Sequence, residues 1–336
     1  MKVKALLINF TAPYHVGWRK AEPIIDGLTL HRALVALHHI VYGPNRIELI
    51  TKELRVSAVL PSIKKKEYHE PVLPPPPIPS KVRPKKAGFK WVTLETAINL
   101  VAEIAKQEKV FIENVENGRV AVKLGTTRKY LCIEGEFLKQ CEENVEIPHS
   151  KLIEKFEATH NRVDRLTNST DLFKVSAYRA RSDMLVVFQS DNDDVLKTAK
   201  GLLELLGQIG LGGLRSRGFG KFVVKGEAEI DKEHFEKNPC AGYNLLLGSY
   251  VNDLLLEPNM TEGPLVDPTK SYINIRLLTG YSGPPQDTYV LPHLSYAGAG
   301  SIIYTKNPPY PIVRSIKTSS LNSTIVFNPV TIGCFT

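Results

Sequence analysis

The 336-residue sequence is poor in cysteine, methionine and tryptophan, with four, three and two of each. The cysteines, Cys132, Cys141, Cys240 and Cys334, are widely spaced, and none falls in a C-x-x-C pair. That spacing argues against a zinc site, and a disulfide scaffold does not suit a large cytosolic chain. No run approaches the ~18 consecutive apolar residues of a spanning helix, which excludes a polytopic membrane protein. The opening MKVKALLINFTAPYH lacks the apolar run and small-residue cleavage site of a signal peptide, so a cytoplasmic location is expected. What is present is ordinary for a globular protein. The chain is 43% hydrophobic and 23% charged, which excludes a mainly disordered polymer. At ~100–200 residues per domain, the length predicts two domains.

Charge is concentrated rather than spread. The balance of 43 Lys and Arg against 35 Asp and Glu is a net +8. Residues 61–90 hold eight Lys or Arg and two Glu, and residues 210–225 hold four Lys or Arg and no acid. Both segments lie in Gly- or Pro-rich sequence on a near-neutral body, a distribution that fits a polyanion-binding surface.

Residues 2–10 read as a buried strand. Residues 28–43 read as a helix, with Leu30, Leu34, Leu37 and Val41 on one face and Gly43–Pro44 as the stop. Residues 53–60 alternate like a strand. Within residues 61–90, seven of the 23 prolines fall between Pro71 and Pro84, four of them consecutive at Pro74–Pro77. They predict an extended, mobile arm that is neither strand nor helix. Residues 94–107 read as a helix, and residues 110–150 are mixed. Two strands follow at 171–180 and 184–190. A helix over 191–210 has Asp191 and Asp194 as its capping pair, with Val195, Ala199, Leu202, Leu206 and Ile209 as its apolar stripe. A Gly-rich loop and a last strand complete the order. With residues 44–170 treated as an insertion, residues 1–225 read βαββαβ, the ferredoxin-like pattern. Residues 226–336 carry further strand-like runs and predict a second, smaller unit. The expected fold class is α+β, with two ferredoxin-like (RRM-like) domains.

Residues 210–220 read G-L-G-G-L-R-S-R-G-F-G. Five glycines permit positive φ and close approach of a phosphate to backbone N–H groups. The P-loop is excluded because Phe219 stands at the lysine position, although Gly213 and Gly218 have the spacing. The dinucleotide fingerprint is excluded because the helix precedes the loop and the strand follows it. What remains is a glycine concavity with Arg215, Arg217 and Lys221 as cations, better suited to an extended phosphodiester chain than to a mononucleotide.

Helix, GLGGLRSRGFGKF and strand together resemble the signature Gly-loop of the RAMP superfamily of CRISPR-associated proteins. A second stretch, His160-Asn161-Arg162-Val163-Asp164-Arg165-Leu166-Thr167, resembles the N-R-I-D-R-x-T-G segment of the type III-A (Csm) effector subunit that binds the 5′ handle of CRISPR RNA (crRNA). Asn168 stands where that family often has Gly. Val56–Ile63, Leu73-Pro74 and Phe89-Lys90-Trp91-Val92 are similar to further blocks of the same family. The likeness spans residues 1–225. It implies a non-catalytic RNA-binding subunit that caps the 5′ handle and docks the large polymerase-palm subunit. It also implies contact with the first backbone RAMP subunit. No cofactor, metal or membrane partner is expected.

The candidate RNA-binding residues are His15, Trp18, Arg19, Lys20, Arg32, Arg162 and Arg165, with Gly210, Gly212, Gly213, Arg215, Ser216, Arg217, Gly218, Gly220 and Lys221 of the loop. Tyr14 and Trp18 are candidates to stack bases. Asp164 is a candidate to orient one of the flanking arginines. His31 and His38 fall at the edge of the apolar stripe of the first helix. The alternative reading is a RAMP-type endoribonuclease that processes CRISPR RNA, with His15 as general base and Lys20 at the leaving oxygen. No acid–base pair and no metal-ligand cluster is evident, so no catalytic residue is assigned.

Overall fold

The computed structural model describes residues 1–17, 21–81, 89–106, 110–124, 127–148, 150–164, 166–167, 169–236, 242–251, 266–278, 294–305, 309, 311–317 and 322–333. Trp18, Arg19, Lys20 and Arg165 lie outside the described residues. So do residues 82–88 of the basic arm.

The first half of the chain supplies β1 (Lys2–Phe10), α1 (Gly27–Tyr42), β2 (Arg55–Val56), β3 (Leu60–Lys65) and β4 (Tyr68–Pro71). Next come β5 (Trp91–Val92), α2 (Leu94–Lys106), β6 (Val110–Glu116), β7 (Arg119–Leu124), β8 (Thr127–Glu134) and β9 (Phe137–Gln140). A long pair, β10 (Ile153–Val163) and β11 (Thr170–Ala180), leads to β12 (Met184–Ser190), α3 (Asp193–Ile209) and β13 (Phe222–Glu227).

The main sheet has the order β13-β1-β12-β3-β4, with β2 also on β12 and all pairs antiparallel. Helices α1 and α3 pack together against it: Leu30, Leu34 and Leu37 of α1 meet Leu202, Leu203 and Leu206 of α3 over Leu6, Ile8, Val186 and Phe188. This is a βαββαβ arrangement, but its second strand is not the one the sequence pattern predicts. Residues 171–180 do not enter the main sheet; they pair with β10 in a separate two-stranded ribbon. The second strand is β2–β3, so the insertion runs over residues 72–183 rather than 44–170. The physical reason is that strand periodicity reports a buried face and not the partner that covers it.

The Pro-rich segment also differs from expectation. β3 and β4 form a hairpin that extends the main sheet, with Pro71 on the edge strand, where a missing N–H costs nothing. Proline keeps its carbonyl, and the tetraproline run uses it: the Asn274 side-chain amide donates to Pro75 O. Leu73 bridges Val92, and Ser80 bridges Ile112 on β6. Residues 61–81 are therefore docked along the body, and a mobile arm is corrected for that stretch.

The side chain capping α3 is Asn192, which accepts from Asp194 N at 3.0 Å, while Asp191 pairs with the N-terminal ammonium. Cys132 and Cys141 are joined in a disulfide with Cα atoms 4.9 Å apart. The β8–β9 hairpin sets Cys132 opposite Lys139, two residues before Cys141, a closeness that their sequence spacing does not reveal.

The insertion builds a five-stranded sheet, β5-β9-β8-β7-β6. Ile98, Val101 and Ile104 of α2 cover Val120, Val122, Leu124 and Leu131 on one side of it. Residues 226–333 add one short helix, α4 (Glu233–Glu236), among the described residues. They also add β14 (Tyr243–Leu246), β15 (Tyr250–Val251), β16 (Ile275–Leu278), β17 (Leu294–Ala297) and β18 (Ile302–Tyr304). The last three strands are β19 (Ile312–Lys317), β20 (Asn322–Phe327) and β21 (Thr331–Ile332). Leu245, Ile302 and Val330 share one core with α2 and with Leu185 and Val187 of the main sheet. Among the described residues no helix is long and apolar enough to cross a membrane.

A polar cluster joins the β3–β4 hairpin to the insertion. Lys65 Nζ pairs with Glu95 and lies 3.6 Å from Glu70 and 4.0 Å from Glu143. Glu143 is fully buried and accepts from Thr93 Oγ1 at 2.7 Å and Thr96 Oγ1 at 3.1 Å. Burial pushes the Glu70 carboxyl up to about 7, against the opposing pull of Lys65. The folded chain thus holds this proton more tightly than the unfolded chain. The stability the group contributes is present below the unfolded value of ~4.3 and is lost as pH rises to about 7. Glu70→Gln should remove this pH dependence, which amounts to about 3 kcal/mol. Thermal unfolding of both proteins from pH 4.5 to 8 checks it. Parallel stability curves would refute it.

Candidate nucleic-acid interface

The Gly-rich loop is positioned by the end of α3. Gly210 takes φ +94, and its N–H donates to Leu206 O, closing the helix. The loop is clasped at its base, where Leu211 N donates to Gly220 O at 2.9 Å. It lies on the segment after β1: Gly213 N donates to His15 O at 2.7 Å and Gly220 N to Pro13 O at 2.8 Å. Glycine is required where these chains touch. A Cβ on Gly212 would lie 2.5 Å from His15 O. At the tip, Leu214 and Gly218 in the left-handed region bracket a single 3₁₀ turn, Arg215–Arg217. That turn presents Arg215, Ser216 and Arg217 to solvent. Several loop N–H groups are thus spent on the protein itself, so the cations of the tip, rather than a ring of amides, are what the loop offers a phosphate.

The ribbon β10–β11 stands beside the loop. Alternation sets His160 opposite Phe173, and their rings stack with centroids 5.8 Å apart. The His160 ring also meets Phe219 of the loop at 6.2 Å, and the Arg217 guanidinium sits 5.3 Å from the Phe173 centroid. Arg162 lies two residues nearer the ribbon tip than His160, so the pleat puts it on the same face. Among the described residues, Arg162, Lys174, Arg215, Arg217 and Lys221 have no carboxylate within 4 Å. This face therefore keeps its positive charge for an external anion.

His15 is held where loop and ribbon meet. Its Nδ1–H donates to Ser176 O at 2.7 Å, which leaves Nε2 as the acceptor of the neutral ring. The structure therefore gathers His15, the loop glycines, Arg215, Ser216, Arg217, Lys221 and Arg162 into one region.

Other sequence candidates lie elsewhere. Burial holds the Arg32 pKa below the usual range, against the opposing pull of neighbouring Tyr296; Arg32 faces the C-terminal sheets and not the loop. Tyr14 is fully buried, its hydroxyl donating to Pro23 O and its ring packed on Phe10 and Tyr178, so it cannot stack a base. Asp164 caps the ribbon turn, accepting from Leu166 N and Thr167 N. His31 and His38 are buried rather than at a boundary. His31 is bonded to Ile50 O at 2.7 Å, and burial lowers its pKa to about 4.

Sequence reasoning missed Phe173 and Phe219 as aromatic walls. The alternation in Asp171-Leu172-Phe173-Lys174-Val175 was the available signal, but it does not say which element Phe173 faces. No group of three His, Cys, Asp or Glu among the described residues is placed to hold a metal ion.

Residues 75–223, which include the ribbon and the Gly-loop, match the RAMP superfamily. The chain carries a RAMP-superfamily domain. A chain in the crystal structure of the Csm3–Csm4 subcomplex of the type III-A CRISPR-Cas interference complex superposes with a TM-score of 0.56. It has 15% identity, and the alignment covers 100% of both chains. At that identity the likeness shows a shared fold. A chain in the Csm1–Csm4 cassette with pppApA is also similar, with a TM-score of 0.46, 15% identity, and 99% and 97% coverage. So is a chain in type III-B Cmr-beta bound to cognate target RNA, with a TM-score of 0.48, 12% identity, and 90% and 86% coverage. No curated protein matches the chain by sequence.

Proposed function

We propose that this RAMP-domain chain is the non-catalytic, Csm4-like subunit of a type III-A CRISPR effector and that its loop–ribbon face holds the 5′ handle of crRNA. The observation that carries the reading is the meeting of Arg217 with the His160–Phe173 stack, with Arg215 exposed in the same turn of a clasped glycine loop. Unpaired guanidiniums take phosphates, and stacked rings take unpaired bases. The fold it shares with a chain of the Csm3–Csm4 subcomplex supports the same assignment. Contacts with the large polymerase-palm subunit and the first backbone subunit, a cytoplasmic location, and a domain division at residue 225 with a second ferredoxin-like unit belong to this proposal.

His15 is the one observation that favours the endoribonuclease alternative, because its free Nε2 lies next to the loop. A base alone falls short. RNA cleavage at a useful rate needs about 8 kcal/mol or more off the barrier and a placed acid as well. Single-turnover incubation of labelled repeat and target RNA with the purified chain separates the readings. Binding without cleavage is the expected result, with or without divalent metal. Specific cleavage abolished by His15→Ala would establish the alternative.

Binding should also be salt-sensitive through the loop. Each phosphate contact on a single strand contributes about 0.7 to the slope of log K against log salt. The Arg215→Ala/Arg217→Ala double variant should bind handle RNA more weakly and with a slope shallower by about 1.4. An unchanged slope in a folded variant would remove these arginines from the site.

A further inference from the structure

The five-stranded sheet of the insertion has a second face, away from α2. Register puts Phe111 of β6 opposite Lys123 of β7, and Lys123 opposite Arg128 of β8. Two residues along, Ala121 separates the β6 strand from Tyr130. Their neighbours in each strand, Val110, Val120, Val122, Leu124 and Leu131, point the other way into the core. This face therefore carries Phe111 on β6 and, on a diagonal across Lys123 and Ala121 of β7, Tyr130 on β8. Tyr130 is 50% exposed.

Cations surround the Phe111 ring. Lys81 Nζ lies 4.9 Å from its centroid and Lys123 Nζ 5.8 Å. Lys81 is delivered by the Pro-rich segment, whose Lys81 N–H donates to Ile112 O of β6. Among the described residues neither lysine has a carboxylate within 4 Å. The acids of this face are engaged: Glu113 pairs with Arg128, and Glu116 accepts from the Asn114 amide. Two ammonium groups held by one ring, with no counter-charge, leave a positive site on an aromatic floor.

We propose that this face is a second RNA-contact site, in which Phe111 and Tyr130 stack bases of a single strand and Lys81 and Lys123 take its phosphates. Antiparallel sheets hold single-stranded RNA by this combination of open rings and flanking cations. An acidic protein surface would use the lysines but leave the rings without a role, so RNA is the better fit. The site lies on a different sheet from the Gly-rich loop and does not depend on the handle reading. It gives a purpose to the basic, Pro-rich segment that the loop–ribbon face leaves unexplained.

The test uses the full chain and an unstructured single-stranded RNA carrying 4-thiouridine and a fluorescent end. Phe111→Leu/Tyr130→Leu removes the rings and keeps the apolar bulk, and Lys81→Gln/Lys123→Gln removes the charges. Each is made in the wild type and with Arg215→Ala/Arg217→Ala. The ring variant should weaken binding about tenfold in the loop-variant background. Ultraviolet cross-links should map to residues 110–132 in the wild type. Loss of affinity with the loop variant alone, with those cross-links retained, tests the handle reading separately and leaves this site standing. Unchanged affinity for the ring variant, or no cross-link in that segment, would overturn the proposal. So would polyglutamate competing as well as RNA and with the same indifference to the rings, which would assign the face to an acidic protein.

Discussion

Gly220→Ala should collapse the Gly-rich loop, and Gly218→Ala should not. Both glycines have positive φ, +76 and +85, so each alanine must bear left-handed strain of about 1–2 kcal/mol. The surroundings then decide. Nothing lies within 4 Å of a Cβ built on Gly218. On Gly220 the same atom would overlap the Leu211 carbonyl oxygen and lie 2.9 Å from Leu211 N, which is the bond pair that clasps the loop. Backbone cannot swing aside as a side chain can. Gly220→Ala should therefore cost about 3–5 kcal/mol. It should also weaken handle-RNA binding by far more than Gly218→Ala does. Urea unfolding and RNA titration of the two variants measure this directly. Equal losses in both would mean that the clasp does not shape the interface.

The second large effect concerns stability. Lys65→Met leaves Glu70, Glu95 and Glu143 facing one another without their common cation. Glu70 and Glu143 are nearly or wholly removed from water, so they cannot recover the loss by hydration. Breaking a buried ion cluster from one side typically costs about 3–5 kcal/mol. The loss should shrink at low pH, where protonated carboxyls no longer need the ammonium. Removing an acid as well, in Lys65→Met/Glu70→Gln, should restore part of the stability. A loss below about 1 kcal/mol at pH 8, in the range of a surface pair, would refute the account.

The Gly-loop was legible from sequence because its signals are local. A leucine stripe ends at Gly210, glycines mark the turns, and exposed arginines sit between them; none of these needs a distant partner to be recognised. Helices α1 and α2 were legible for the same reason, since each carries its apolar period within a few turns. The concentration of positive charge in residues 61–90 and 210–225 was also a property of sequence alone.

Tertiary structure decided what pairs with what. A strand states which face is buried but not which strand lies beside it, so β11 reads like a member of the main sheet yet belongs to the ribbon. The pairing of β3 with β12 instead spans more than a hundred residues. Prolines suggested a free arm because they lack a donor, but Pro75 O still accepts from Asn274, and the neighbouring Leu73 and Ser80 bridge Val92 and β6. Arg32 and Arg215 are equivalent in composition. Only packing puts one beside buried Tyr296 and leaves the other in water. The sequence determined the loop, the helices and where charge is dense. Folding chose which of those charges meet Phe173, which meet Glu143 and which stay open to an anion, because each outcome depends on contacts between residues far apart in the chain.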